Sequence, residues 1–123
     1  DRARIAVVWA GAPVYYAERA GVDLLGKNDT RVAESTPHDG FKPGHNKWDY
    51  RYSIGTLRPD LITDLWSPSI RDFELLRSWG YVPVQYRKRA GGPDYSSRNF
   101  FALEGSPNVR WDRLETPPPL KAR

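Results

Sequence analysis

Arg4-Ile5-Ala6-Val7-Val8-Trp9-Ala10 is the stretch from which a fold class can be predicted. Its unbroken apolar run is typical of a strand covered on both faces, as parallel strands usually are. Gly11-Ala12-Pro13 follows, and proline suits the first turn of a helix, which we place over Val14 to Ala20. Val22 to Leu25 then predicts a second strand. This part of the chain therefore forms a strand–helix–strand unit.

The chain beyond this unit continues to alternate helices with strands. Trp48 to Leu57 predicts a helix, and Leu61 to Trp66 predicts a third strand. A second helix begins after Ser69, because Asp72 stands three residues later, as in a capping box. Tyr81 to Tyr86 predicts a fourth strand, and the proline within it places this strand near an edge of the sheet.

The predicted fold is therefore α/β: a small Rossmann-like, mostly parallel sheet flanked by short helices. Asn99 to Leu103 is compatible with a final strand that runs antiparallel at the edge. We place one domain over residues 1–115, with a long functional loop at 27–49 and a proline-rich tail at 116–123. The loop lacks apolar periodicity, and long irregular loops in compact domains commonly carry function.

Composition excludes several classes of protein. The 123 residues contain no cysteine, which removes disulfides, thiolate-bound metal and thiol nucleophiles. The net charge is +4, but basic residues are interleaved with acids along the chain, so we predict no nucleic-acid partner. The one dense basic cluster, Arg87-Lys88-Arg89, is more simply a solvated loop than a contact with anionic lipid.

Two polar segments, Val22 to Asp29 and Pro43 to Tyr50, carry the candidate site. Carbohydrate sites combine aromatic faces with carboxylates and amides in this way. The candidate substrate-binding residues are Asn28, Asp29, His45, Lys47, Trp48 and Asp49. Simpler interpretations remain open: Asp29 can cap a helix from Thr30, and the aromatic residues can belong to the core. No catalytic residue, metal site or cofactor is predicted, although Asp23 with Asp29 or Asp49 could in principle form a glycosidase pair.

The order and spacing of four segments resemble a known family. They are Gly11 to Tyr16, Asp23 to Asp29, Pro43 to Tyr50 and Arg58 to Ile62. Together they are similar to the extracytoplasmic C-terminal domain of bacterial GT-C-type membrane glycosyltransferases, of the mannosyl- and arabinofuranosyltransferase-like kind. Lys27 departs from this resemblance, because an apolar residue is expected at that position.

The resemblance implies a soluble accessory domain at the extracytoplasmic face of a bacterial membrane. The enzyme as a whole would transfer a sugar from a polyprenyl-phosphate donor to a cell-envelope glycan or glycoconjugate. Its catalytic acid is expected in a membrane portion of the same polypeptide, so this chain is expected to be a non-catalytic piece of a longer protein. Its partners would be that membrane portion and the glycan acceptor.

Two other functions stay open at this point. The first is an independent carbohydrate-binding module without catalytic activity, which would use Trp48, Tyr50 and Tyr52. The second is a nucleotide-binding or response-regulator-like domain. That class needs phosphate-binding or acidic groups at the strand ends, and the sequence supplies these poorly.

Overall fold

The computed structural model describes residues 2–40, 43–87 and 100–117. The strands are β1 (Arg4–Val7), β2 (Ala20–Asp23), β3 (Leu61–Ile62), β4 (Tyr81–Pro83), β5 (Gln85–Tyr86), β6 (Phe101–Leu103) and β7 (Leu114–Glu115). The helices are α1 (Ala12–Ala17), α2 (Thr30–Ala33), a π-helix (Arg51–Thr56), α3 (Ile70–Ser78) and a 3₁₀ turn (Trp111–Arg113). Lys88 and Arg89 of the basic cluster, and residues 118–123 of the predicted tail, lie outside the described residues.

Five strands form one mixed sheet in the order β2-β1-β3-β6-β4. Strand β1 pairs in parallel with both β2 and β3. Strand β6 pairs antiparallel with both β3 and β4. A separate antiparallel pair joins β5 to β7.

The prediction of a Rossmann-like, mostly parallel α/β sheet is wrong. Beyond the first two strand pairs the pairing is antiparallel, a second sheet is present, and the helices are short and sparse. The antiparallel strand does not lie at the edge either, because β6 occupies the slot between β3 and β4. Phe101 and Ala102 of β6 are both buried, and a strand covered on both faces is stable in the middle of a sheet. Its late position in the chain gives no sign of this placement.

The fourth predicted strand is divided into two. Pro83 ends β4, which is an edge strand of the five-stranded sheet as predicted, since proline has no N–H to give to a second neighbour. After Val84 the chain leaves this sheet, and β5 pairs with β7 instead. The third predicted strand is also shorter, because only Leu61 and Ile62 pair within it.

Several local predictions are confirmed. Ser69 and Asp72 form the capping box of α3: the Ser69 side chain accepts from the Asp72 amide, and the Asp72 side chain accepts from the Ser69 amide. Asp29 caps α2, with its carboxylate accepting from the amide of Val32 at 3.1 Å. The helix expected over residues 48–57 is present as the shorter π-helix.

The core lies on both faces of the main sheet. One cluster contains Ile54, Ile62, Leu76, Tyr81 and Phe101, among others. The other contains Val84, Phe100, Ala102, Val109 and Leu114. Neighbouring residues of β6 point to opposite faces, so Phe101 enters the first cluster and Ala102 the second. Strand β6 therefore joins the two halves of the core.

Candidate functional site

A cluster of aromatic and basic side chains lies where the parallel strands end. It consists of Trp9, Lys27, His45 and Trp66, and we call it the rim cluster. The ring centroid of Trp9 lies 5.4 Å from that of His45 and 6.2 Å from that of Trp66. The centroids of His45 and Trp66 are 5.0 Å apart. The ammonium of Lys27 lies over the Trp9 ring, 5.6 Å from its centroid. Lys27 and His45 thus bring both predicted polar segments against Trp9.

The sheet explains why these residues meet. Trp9 comes two residues after β1 and Trp66 four residues after β3, and these strands are parallel neighbours whose carboxyl ends share one edge. Lys27 lies four residues after β2, on the other side of β1. The Trp9 side chain is 56% exposed, so its indole is available to a ligand.

A buried carboxylate shapes the loop that carries Lys27. Asp23 ends β2, and its two oxygens accept from the amide of Leu25 at 2.9 Å and from that of Asn28 at 2.6 Å. This turn-forming role matches the known tendency of Asp to bond to backbone groups that follow it. Asp23 is thereby committed to holding the loop in shape.

Three predicted binding residues hold the structure together or face solvent. Asp29 caps α2, as described above. Lys47 donates from its ammonium to the carbonyl oxygen of Ala33, at the end of the same helix. Asn28 is exposed, and its backbone amide bonds to Asp23. Asp29 and Lys47 therefore fix opposite ends of α2, which leaves less of each side chain for a ligand.

His45 is held by its ring contacts and by one local hydrogen bond. Its Nδ1 lies 2.9 Å from the carbonyl oxygen of Pro43. Its Nε2 is buried and has no hydrogen-bonding partner among the residues described. A buried polar atom without a partner is costly unless something else satisfies it. His45 therefore keeps unused hydrogen-bonding capacity within the rim cluster.

Trp48 and Asp49 lie in a different place, a cleft of about 310 Å³ beside the π-helix and α3. The cleft is lined by His38, Trp48, Asp49, Tyr50, Arg51, Arg71, Asp72 and Leu75. The imidazole of His38 stacks on Trp48 with ring centroids 3.8 Å apart, and its Nε2 lies 3.0 Å from the Trp48 carbonyl oxygen. The six predicted binding residues therefore do not form a single site.

Tyr50 connects the cleft with the rim cluster. Its hydroxyl donates to the carbonyl oxygen of Trp66 at 2.6 Å, and its ring is buried. Burial raises the pKa of Tyr50 above its ordinary value, the hydrogen bond to Trp66 opposes that rise, and the charges of Asp72 and Asp64 add to it. The hydroxyl consequently stays protonated and holds the backbone at Trp66 in place.

Four residues of these two places were not among the predicted binding residues: Trp9, Trp66, Arg51 and Arg71. The two tryptophans could have been found, because each lies at the C-terminal end of a predicted strand, the edge where ligands bind in the α/β sheets that the sequence predicted. No sequence pattern indicates the two arginines, since only the tertiary structure places both of them in the lining of one cleft.

The described residues were compared with the requirements of a metal site and of a membrane-spanning helix. No three His, Asp or Glu side chains among them converge in a way that could hold a metal ion. Within the same residues, no helix has the length and the apolar composition needed to cross a bilayer.

Comparison with known proteins adds no relative. No family model matches this chain, and neither a curated protein nor a solved structure matches it.

Proposed function

We propose that this chain is an accessory domain of a membrane-bound glycosyltransferase. The enzyme would transfer a sugar from a polyprenyl-phosphate donor to a cell-envelope glycan or glycoconjugate, with this domain at the extracytoplasmic face. The observation that carries the proposal is the meeting of both resemblance-bearing segments at Trp9, through Lys27 and His45. Segments far apart in sequence that share one exposed surface are suited to a common ligand.

The chemistry of the rim cluster supports a glycan as that ligand. An exposed indole offers an apolar face to the C–H surface of a sugar ring. The ammonium of Lys27 provides a charged hydrogen-bond donor beside that face. The nearby carboxylates of Asp23 and Asp29 accept from backbone amides, so the surface is suited to holding an acceptor while the catalytic acid lies elsewhere.

The first test is whether the chain alone transfers sugar. We expect no turnover when it is mixed with a polyprenyl-phosphate sugar donor and an oligosaccharide acceptor. The coding sequence ahead of this chain should contain several apolar segments of about 20 residues. Substantial transfer by the isolated chain, or a neighbouring sequence without such segments, would overturn the proposal.

The second test places the domain in its membrane context. Membranes that contain the longer protein should lose most acceptor transfer when Trp9→Ala is introduced. Tyr86→Ala is the matched control, because Tyr86 is a similarly exposed aromatic residue in β5, away from the rim cluster. Equal transfer by the two variants would argue against a role for the rim cluster.

An independent carbohydrate-binding module is the alternative, and the exposed indole of Trp9 favours it as well. Of the three residues first considered for this module, Tyr50 is buried, and Tyr52 is covered by the guanidinium of Arg31, 4.4 Å from its ring centroid. The module would therefore depend on Trp9. Saturable, tight binding of an oligosaccharide by the isolated chain in an NMR titration favours the module, whereas weak or absent binding favours the accessory domain.

A further inference from the structure

The cleft beside α3 is lined by two arginines whose guanidinium groups make no hydrogen bond or ion pair with the described residues. Arg51 belongs to the π-helix and Arg71 to the first turn of α3, and both line the cleft. Neither guanidinium has a hydrogen-bonding or ion-pair partner among the described residues. We propose that this cleft binds the carboxylate of an acidic sugar, a hexuronate residue, and that Arg51 and Arg71 are its ligands.

The two carboxylates of the cleft form no ion pair with these arginines. Asp72 accepts from the amide and the hydroxyl of Ser69, at 2.8 and 2.7 Å, within the capping box of α3. Asp49 accepts from the amide of Tyr52 at 3.1 Å at the start of the π-helix. Each carboxylate is thus held by the end of a helix, and both guanidinium groups remain available to a ligand.

The ligand class follows from charge and shape together. A guanidinium is planar and matches a carboxylate with two parallel hydrogen bonds. Two aspartates also line the cleft, so a singly charged carboxylate is repelled less than a doubly charged phosphate ester. The Asp49 oxygen that does not bind the Tyr52 amide can accept from a sugar hydroxyl.

The walls and the volume suit a sugar ring. The stacked pair His38 and Trp48 forms one aromatic wall, and Leu75 adds an apolar contact. A volume of about 310 Å³ lies at the small end of ligand sites, which is enough for one or two sugar rings but small for a nucleotide. None of the four residues of the rim cluster lines this cleft, so the inference does not depend on the proposed glycosyltransferase role.

The test is an NMR titration of the ¹⁵N-labelled chain with methyl β-glucuronide. Methyl β-glucoside, which lacks the carboxylate, and glucose 6-phosphate are titrated in parallel. We expect saturable shifts at the amides and side chains of Trp48, Arg51 and Arg71 with the glucuronide alone. Arg51→Gln and Arg71→Gln should each weaken the binding about tenfold, since each removes a hydrogen bond to a charged group.

Arg77→Gln is the matched control, because Arg77 is an exposed arginine on the same helix that does not line the cleft. It should leave the dissociation constant unchanged, and all three variants should keep the parent spectrum away from the cleft. Equal shifts with the glucoside, preference for the phosphate ester, or no saturable shift would each overturn the inference. Shifts confined to Trp9 and Lys27 would also overturn it, while they would support the proposed function of the rim cluster.

Discussion

At the scale of single residues, Asp60 is the carboxylate on which three parts of the chain depend. It is buried, and its side chain accepts from the amide of Arg4 at 2.7 Å, from the hydroxyl of Ser106 at 2.6 Å and from the side-chain amide of Asn108 at 3.2 Å. These bonds tie the starts of β1 and β3 to the loop after β6. An uncharged replacement cannot satisfy all of these donors.

Asp60→Asn should lower the free energy of unfolding by about 2 kcal/mol, because the new amide presents N–H groups to donors that need an acceptor. Urea unfolding at neutral pH measures this change. The control is Asp112→Asn, whose carboxylate is exposed and, within the described part of the chain, pairs with neighbouring Arg110 and Arg113. A loss as large in the control as in Asp60→Asn would contradict the assigned role.

The stability of the chain at acid pH should depend on the same carboxylate. Burial alone would raise the pKa of Asp60, but the bonds from Ser106, Arg4 and Asn108 and the charge of Arg4 outweigh it, so the pKa is lowered from 3.8. A lowered folded-state pKa adds stability that is present above the unfolded value and is lost as the pH falls through the folded value. The stability of the parent chain should therefore fall below about pH 4, and less steeply in Asp60→Asn.

Tyr81 should make the chain sensitive to alkaline pH. It is buried, its hydroxyl donates to the carbonyl oxygen of Pro59 at 2.6 Å, and burial raises its pKa to about 12 against the opposing charge of Arg58. A raised pKa adds stability that is complete below pH 10.0 and is lost as the pH rises towards 12. We expect unfolding free energies, measured by urea titration across this range, to decline.

Tyr81→Phe should make that alkaline decline shallower and should cost about 1 kcal/mol at neutral pH through the lost hydrogen bond. Some decline remains, since the pKa of Tyr50 is also raised by burial. Tyr15→Phe changes an exposed hydroxyl and serves as the neutral-pH control. If the unfolding free energy of Tyr81→Phe declines at alkaline pH as steeply as that of the parent chain, another group is responsible for the decline.

At the scale of elements, the contact between the loop after β2 and α2 depends on a glycine. Gly26 has φ +70°, and a Cβ there would lie 2.7 Å from the Ala33 nitrogen and 2.8 Å from Val32 Cβ. The backbone of α2 thus packs directly on this loop. The same helix is fixed by Asp29 at its start and by Lys47 at its end, so the two polar segments are connected through α2.

Gly26→Ala and Gly44→Ala separate the steric contact from backbone strain. Both glycines have φ +70°, but a Cβ at Gly44 would meet nothing within 4 Å. Each variant should lose about 1 kcal/mol for the left-handed conformation. Gly26→Ala should lose roughly 2 kcal/mol more, because its Cβ overlaps backbone and side-chain atoms. Equal urea midpoints for the two variants would show that the loop and α2 can move apart.

At the scale of the whole molecule, two cores share one strand. Phe101 of β6 packs in the first cluster, and its neighbour Ala102 packs in the second. Because β6 cannot leave one core without leaving the other, we expect the described part of the chain to unfold as a single cooperative unit.

Leu76→Ala and Leu114→Ala test this cooperativity, since each removes a buried side chain from one cluster. Each should cost about 2–4 kcal/mol. Fluorine NMR of fluorotryptophan-labelled protein can follow Trp111 at the second cluster separately from Trp79 at the first. In each variant, the folded-state signals of Trp79 and Trp111 should be lost with the same urea midpoint. Earlier loss of the Trp111 signal in Leu114→Ala would show that the second core unfolds independently.

What could be predicted from the sequence was decided by residues close together in the chain. The strand over Arg4–Val7, the capping box at Ser69 and the cap at Asp29 each depend on neighbours within a few positions. The insertion of β6 between β3 and β4 depends on contacts across about 40 residues, and local patterns carry no information about such pairing. For the same reason, only the tertiary structure places Lys27 and His45 against Trp9. It also places Trp48 and Asp49 in a different site, the cleft that they share with Arg51 and Arg71.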